Sequence, residues 1–182
     1  MDGVRQCRQN ARSLPSPVFR MSQVQTLNGQ PWQPDVTVAT IVVRDGRLLV
    51  VEEEAQGQRV LNQPAGHLEP NESLAAAALR ETLEETGWEV RLTAFIGVYQ
   101  WRASAASDGS GGRHYLRHAF AAEPVRHHPD RPLDAGIVRA FWMTPAELQA
   151  EQSRHRSPLV WRTASDFLAG RRFPLDLLTH LP

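Results

Sequence analysis

Four glutamates, an arginine and two glycines between positions 66 and 87 have the types and spacing to handle phosphate through a metal ion. In GHLEPNESLAAAALRETLEETGW (66 to 88), Gly66, Glu72, Arg80, Glu81, Glu84, Glu85 and Gly87 follow the pattern G-x5-E-x7-R-E-x2-E-E-x-G. A helix turns by about 100° per residue, so Glu81, Glu84 and Glu85 fall on one narrow arc. Three like charges there destabilise the helix unless a cation lies among them. Mg²⁺ suits such a set, because it prefers carboxylate oxygens and keeps positions for water and substrate phosphate; Mn²⁺ accepts the same donors. Arg80 precedes Glu84 by four residues and can orient its carboxylate by an ion pair. A solvated acidic face on a surface helix is the plain alternative, and for an isolated Glu-Glu pair it is the better one.

The elements around these residues follow from local chemistry. Pro70 and Asn71 break the chain, and Asn71 is the expected N-cap of the helix. Ala75 to Ala78, Leu79 and Leu83 are good helix formers, and Gly87 stands where a left-handed C-terminal cap belongs. Leu74 and Ala78 supply an apolar side for docking on a sheet. Upstream, the apolar runs Val36 to Val43 and Arg47 to Glu52 flank Asp45-Gly46, a strong hairpin signal. Val60 to Gln63 reads as a short strand. Downstream, Glu89 to Trp101 reads as one or two strands, and His114 to Ala122 and Val138 to Met143 as further ones. Ala103 to Arg113, rich in Gly, Ser and Ala, is expected to be a flexible loop. Thr144, Pro145 and Glu147 form a capping box with proline at the first turn of a helix. Ser157-Pro158 opens a last helix that runs to about Gly170. Strands on both sides of the acidic helix, followed by more helices, predict a mixed sheet covered on both faces.

The 182 residues suffice for one full core and are too few for two ordinary domains. Twenty basic residues balance twenty acidic ones, so no global field favours nucleic acid or an anionic membrane. Every basic residue is Arg; the absence of Lys excludes a P-loop lysine and a Schiff base. Cys7 has no partner for an internal disulfide, and no apolar run approaches the ~20 residues of a membrane span. Residues 1 to 33 are polar and aperiodic and are expected to form a disordered leader, with Met21 a plausible true start; residues 34 to 178 are expected to form the single domain. The expectation is a cytoplasmic monomer acting on a small phosphorylated molecule.

The seven fixed positions, closed by bulky Trp88, are the pattern of the Nudix box, and the chain resembles the Nudix hydrolases. At those spacings the solvated-face alternative loses its force. DVTVATIVVRDGRLLVVEE, LNQPAGHLE, YQW, RSPLV and GRRFPL extend the resemblance to the phosphatase NudJ group over residues 34 to about 178. The resemblance implies the Nudix fold, an α/β/α sandwich around a mixed sheet (α+β), and Mg²⁺-dependent cleavage of phosphoric anhydrides. It further implies release of inorganic phosphate from nucleoside tri- and diphosphates, and activity on thiamine diphosphate and hydroxymethylpyrimidine diphosphate. Another Nudix pyrophosphohydrolase, of the nucleoside triphosphate or ADP-ribose type, is the alternative, followed by a non-catalytic nucleotide-binding regulator.

For the site, the resemblance implies metal ligation by Glu81, Glu85 and Glu84 with the Gly66 carbonyl, and a general base that is Glu84 or Glu81. Glu72 is expected to support the loop behind these ligands. Beyond the box, Trp101 and Tyr99 are candidates to stack a base ring, although aromatic residues on strands more often belong to the core. Arg102, Arg113 and Arg117 are candidates to clamp phosphate oxygens, with a solvated surface role the plainer reading of each. Asp134 is a candidate ligand or base, against the usual role of a loop aspartate in a turn. Thr82 fills a position that is usually aliphatic and is expected to pack through its methyl. His127-His128 reads as an exposed loop pair.

Overall fold

The computed structural model describes residues 26–27, 30–104 and 112–181. The described residues divide into two units, with the boundary between Trp32 and Gln33. In the first, β1 (Thr26–Leu27) and β2 (Gln30–Pro31) pair antiparallel. Of the leader expected to be disordered, residues 26–27 and 30–33 are described, and four of them form this pairing; the rest of it, with the Met21 start and Cys7, lies outside the described residues, as does most of the expected flexible loop, at 105–111.

The second unit begins with the expected hairpin. β3 (Asp35–Arg44) and β4 (Arg47–Ala55) meet at a turn in which Asp45 (φ 51°) and Gly46 (φ 71°) are both left-handed, the conformation whose twist matches the flanking strands. A second turn of the same kind, Gln56-Gly57 (φ 53° and 75°), leads into β5 (Gln58–Asn62). Beyond its first two pairs β4 leaves β3, and it pairs with β5 on one side and β9 (Ile137–Met143) on the other. The first half of β3 instead pairs with β6 (Ala65–His67). Along its other edge β3 runs parallel to β8 (His114–His127), which pairs antiparallel with β7 (Trp88–Arg102). The sheet is therefore mixed, as the sequence predicted. Glu89 to Trp101 lies in one long strand, and β8 runs five residues past the expected end.

Alternation along the strands divides the core between two faces. Val38, Phe95 and Phe120 meet Ala77 and Ala78 of α1 (Leu74–Thr86). Ile41, Ile96, Ala119 and Ala121 meet Leu159, Val160 and Ala164 of α3 (Leu159–Leu168), beside α2 (Pro145–Ala150). The result is α+β, with helices covering both faces.

One expectation about α1 needs correction and another is extended. Its N-cap is Ser73, whose side chain accepts from the Ala76 N–H, whereas Asn71 has φ 67°. A cap must be extended immediately before the first helical residue; Asn71 takes the left-handed turn conformation that Asn tolerates better than most residues. Thr82 does more than pack a methyl: fully buried, it shares a 2.7 Å hydrogen bond with the Thr40 hydroxyl of β3 and bonds the Ala78 carbonyl. That bond fixes the rotation of α1 against the sheet, and so the direction in which its carboxylates point. Gly87 ends the helix as expected, with φ 69° and its N–H bonded to the Leu83 carbonyl. The Thr144 capping box is also present.

Candidate functional site

The second half of α1, strand β6, the β8–β9 connection, β8 and the start of α3 together surround a cleft of about 870 Å³. Arg80 organises its acidic end. Its guanidinium holds Glu72 in a fork of two bonds (3.1 and 2.7 Å), donates to Glu81 at 2.8 Å and Glu84 at 3.1 Å, and reaches the His67 carbonyl at 3.0 Å. These bonds hold the Glu72 carboxyl below its ordinary range, because the ionised form accepts from Arg80 and from the Glu69 N–H. Glu72 thus ties the loop before α1 to the arginine that steadies the other glutamates.

Glu81, Glu84 and Asp134 each present a ligand atom within 4.8 Å of the other two. Asp134 reaches them because its backbone N–H caps the Glu84 carbonyl at 3.1 Å, while its carbonyl accepts from Ile137. It is both a turn residue and a member of the acidic cluster, so the two readings of it were not exclusive. Burial raises the proton affinity of Glu81 against the opposing pull of Arg80. Glu85 is more deeply set. One oxygen accepts the Ala65 N–H at 2.8 Å, and burial, reinforced by Glu81 and Glu53, pushes its carboxyl well above the ordinary range.

Gly66 lies directly against this cluster. A Cβ built there would overlap the carboxyl carbon and both oxygens of Glu81, so the glycine makes room for a ligand. Oxygen donors set this close together, from buried Glu81 through partly buried Glu84 to exposed Asp134, with the two glutamates held by one arginine, fit a hard divalent cation. Glu81, Glu84 and Asp134 are the residues the geometry groups for it, with Glu85 and Gly66 alongside.

The structure sorts the remaining candidates. Arg117 is not a surface arginine. It is buried on the cleft wall, bonded at 3.4 Å to Gln63 Oε1, with Nε unpartnered. Burial lowers its pKa to about 10 against the opposing fields of Glu85 and Glu53, which leaves it charged at neutral pH. Tyr99 does not reach the cleft: it is buried in the core beneath α3, its hydroxyl bonded to Asp166 at 3.0 Å. The period-2 strand pattern could not say which face was core, because both are. Trp101 lines the cleft at its rim, half-buried and stacked on Tyr115 with centroids 5.5 Å apart. Arg113 lies outside the cleft lining, 4.0 Å from Asp35. Of the histidine pair read as exposed loop, His127 is exposed but ends β8, stacked on Trp88 at 4.5 Å, and His128 lies in the connection beyond the strand, 2.6 Å from Glu89. Sequence reasoning missed Ser157 and Thr37, both buried on the cleft wall. Single hydroxyl residues in strands and helix starts carry no signal that would have marked them.

Comparison with known proteins identifies the family and the fold. A family model described as NUDIX domain matches residues 32–162. Phosphatase NudJ of Escherichia coli K12 is 39% identical over 147 residues, covering 81% of this chain and 92% of the relative. Phosphatase NudJ of Shigella flexneri matches to the same extent. Among solved structures, a NUDIX hydrolase from Nitrosomonas europaea superposes with a TM-score of 0.76 at 46% identity, over 82% of this chain and 98% of that one.

Proposed function

The chain belongs to the Nudix family and is a hydrolase of phosphoric anhydrides, and from that premise we propose that it acts as a Mg²⁺-dependent phosphatase of NudJ type. Its substrates in this reading are nucleoside tri- and diphosphates and related diphosphates, including thiamine diphosphate and hydroxymethylpyrimidine diphosphate, with inorganic phosphate released. The observation that carries the reading is the juxtaposition, in one cleft, of the Glu81–Glu84–Asp134 cluster and the buried cation Arg117. One end is built for a cation and the other for an anion. A polyphosphate bound with a metal has both. Similarity to the NudJ phosphatases, whose matched region spans most of the chain, supports phosphate rather than pyrophosphate as the product.

Glu81, Glu84 and Asp134, with Glu85 and the Gly66 carbonyl beside them, would hold the metal, which supplies charge neutralisation at the attacked phosphorus and a lowered pKa for water. The chain's own residues do the rest. Arg80 keeps Glu81 and Glu84 oriented while engaging one oxygen of each, so that the other oxygen stays available. Glu81 or Glu84 takes the proton from the attacking water, within reach of the same cluster. Arg117 holds phosphate oxygens, and Trp101 at the rim offers a ring face to the base. Most of the acceleration comes from positioning and charge neutralisation, as in phosphoryl transfer generally. The reading takes the enzyme as a cytoplasmic monomer; no helix among the described residues is long and apolar enough to cross a membrane.

A panel of nucleoside tri- and diphosphates, thiamine diphosphate and ADP-ribose, with separate detection of phosphate and pyrophosphate, tests the proposal. Phosphate from both tri- and diphosphates, abolished by EDTA and restored by Mg²⁺ or Mn²⁺, is the expected result. Pyrophosphate as sole product of a triphosphate, with diphosphates inert, overturns the phosphatase reading within the family.

A further inference from the structure

Six buried side-chain polar atoms among the described residues make no hydrogen bond within the protein, and four of them line the same cleft: Thr37 Oγ1, Asn62 Oδ1, Arg117 Nε and Ser157 Oγ. Buried polar groups are almost always paired. Four together on one wall therefore mark a place where a polar ligand completes the bonding. All four residues are more than nine-tenths buried: Thr37 is 5% exposed, Asn62 6%, and Arg117 and Ser157 7% each. Long surface side chains can swing to other partners; these cannot.

Each is held from behind. Thr37 and Arg117 are register partners on the parallel strands β3 and β8, so their side chains project from the same face. Gln63 accepts from Arg117 through Oε1 and donates through Nε2 to the Val160 carbonyl of α3. Ser157 immediately precedes Pro158, the N-cap of α3, a helix start with no side-chain cap. The orientation of Asn62 is set because its Nδ2 donates to Glu53 at 3.2 Å, leaving Oδ1 free to accept. Glu53 itself lies 3.7 Å from Arg156, so its charge is matched on the same wall.

We propose that Arg117, Thr37, Ser157 and Asn62 form a subsite for the terminal phosphate of the substrate, and that the same subsite retains inorganic phosphate after cleavage. The inventory of atoms selects the ligand. Arg117 Nε–H and two hydroxyls are donors, one of them cationic, and suit phosphate oxygens. Asn62 Oδ1, the one atom of the four that can only accept, suits the P–OH of a singly protonated terminal phosphate, a group that a bridging phosphate lacks. Glu85 and Glu53 already offset part of the guanidinium charge, but a neutral nucleobase edge would make weaker bonds to this cationic donor than phosphate oxygens do. The inference rests on the reading of this cleft as the phosphoric-anhydride site and adds which end of the substrate faces β8.

The test is a titration of the full chain with inorganic phosphate, followed by calorimetry, without and with Mg²⁺. It compares wild type with Arg117→Met, Ser157→Ala and Thr37→Val, with thermal melting as the check on folding. Loss of a charge-assisted hydrogen bond predicts binding weakened about ten- to hundred-fold in Arg117→Met, and several-fold in each hydroxyl variant. Mn²⁺ affinity measured by electron paramagnetic resonance should stay unchanged in the two hydroxyl variants, which remove no charge. The two small variants decide the question should Arg117→Met fail to fold. No phosphate binding by wild type, or equal binding by all variants, overturns the subsite. So does an equal weakening, in Arg117→Met, of a nucleoside that carries no phosphate, which would give this wall to the base. The titration needs no turnover. A product assay that found only pyrophosphate would reject the phosphatase reading and leave the binding result standing.

Discussion

Gly66→Ala separates the site from the fold more cleanly than any carboxylate substitution. Gly66 does not have a positive φ, so alanine fits the β6 backbone without conformational strain. Its methyl, however, would occupy the space of the Glu81 carboxyl group, overlapping the carbon and both oxygens. Restoring ordinary van der Waals separation requires the carboxylate to retreat by roughly 1 Å or more. Glu81 cannot do so and remain within 4.8 Å of Glu84 and Asp134 while bonded to Arg80 at 2.8 Å. Misplacement on this scale costs about a hundred-fold in rate, and loss of a charge-stabilising group costs about 2.7–4 kcal/mol. The expectation for Gly66→Ala is therefore kcat lower by a factor of about 10² to 10³ and weaker Mn²⁺ binding, with a melting temperature near that of wild type in EDTA. In a Glu81→Gln background the same substitution should add little, because both changes disable one ligand. Steady-state kinetics, metal titration and thermal melting of the four proteins decide the matter. Wild-type turnover and Mn²⁺ affinity in Gly66→Ala would refute the placement of Glu81 in the metal cluster.

Three further outcomes are expected. Glu85→Gln should keep the fold and lower kcat on the order of a thousand-fold. Without metal it should also be more stable than wild type at neutral pH. A carboxyl raised well above its ordinary value by burial favours the fold below its unfolded pKa, and that stability is lost as pH rises through the folded value; melting in EDTA across pH 4 to 9 checks the sign, and an advantage that grows toward acid refutes it. Glu52, buried between Arg139 at 2.8 Å and Arg154 at 2.5 Å, has a depressed pKa, first through its bond to Arg139. Its contribution is present above the unfolded value of 4.5 and lost as pH falls through the folded one, so Glu52→Gln should cost about 1–3 kcal/mol at neutral pH and much less in strong acid by chemical denaturation. Trp101→Ala should raise KM about ten-fold, in line with ~1–3 kcal/mol per stacked base, with metal dependence intact; an unchanged KM would return Trp101 to a packing role against Tyr115.

The sequence by itself determined the reaction class and the parts whose rules are local. The spacing of Glu81, Glu84 and Glu85, the Asp45-Gly46 turn, the Gly87 cap and the Thr144 capping box all act over four or five residues, where backbone geometry leaves few choices. Tertiary structure decided what converges from afar. Asp134, fifty residues from Glu84, joins the cluster because its loop caps the end of α1. Arg117 and Tyr99 are register partners on adjacent strands, yet one is on the cleft wall and the other is bonded to α3. Both project from the same sheet face, and α3 covers only part of it. Which part is covered depends on where α3, a helix far along the chain from both strands, comes to rest, and no period in either strand encodes that.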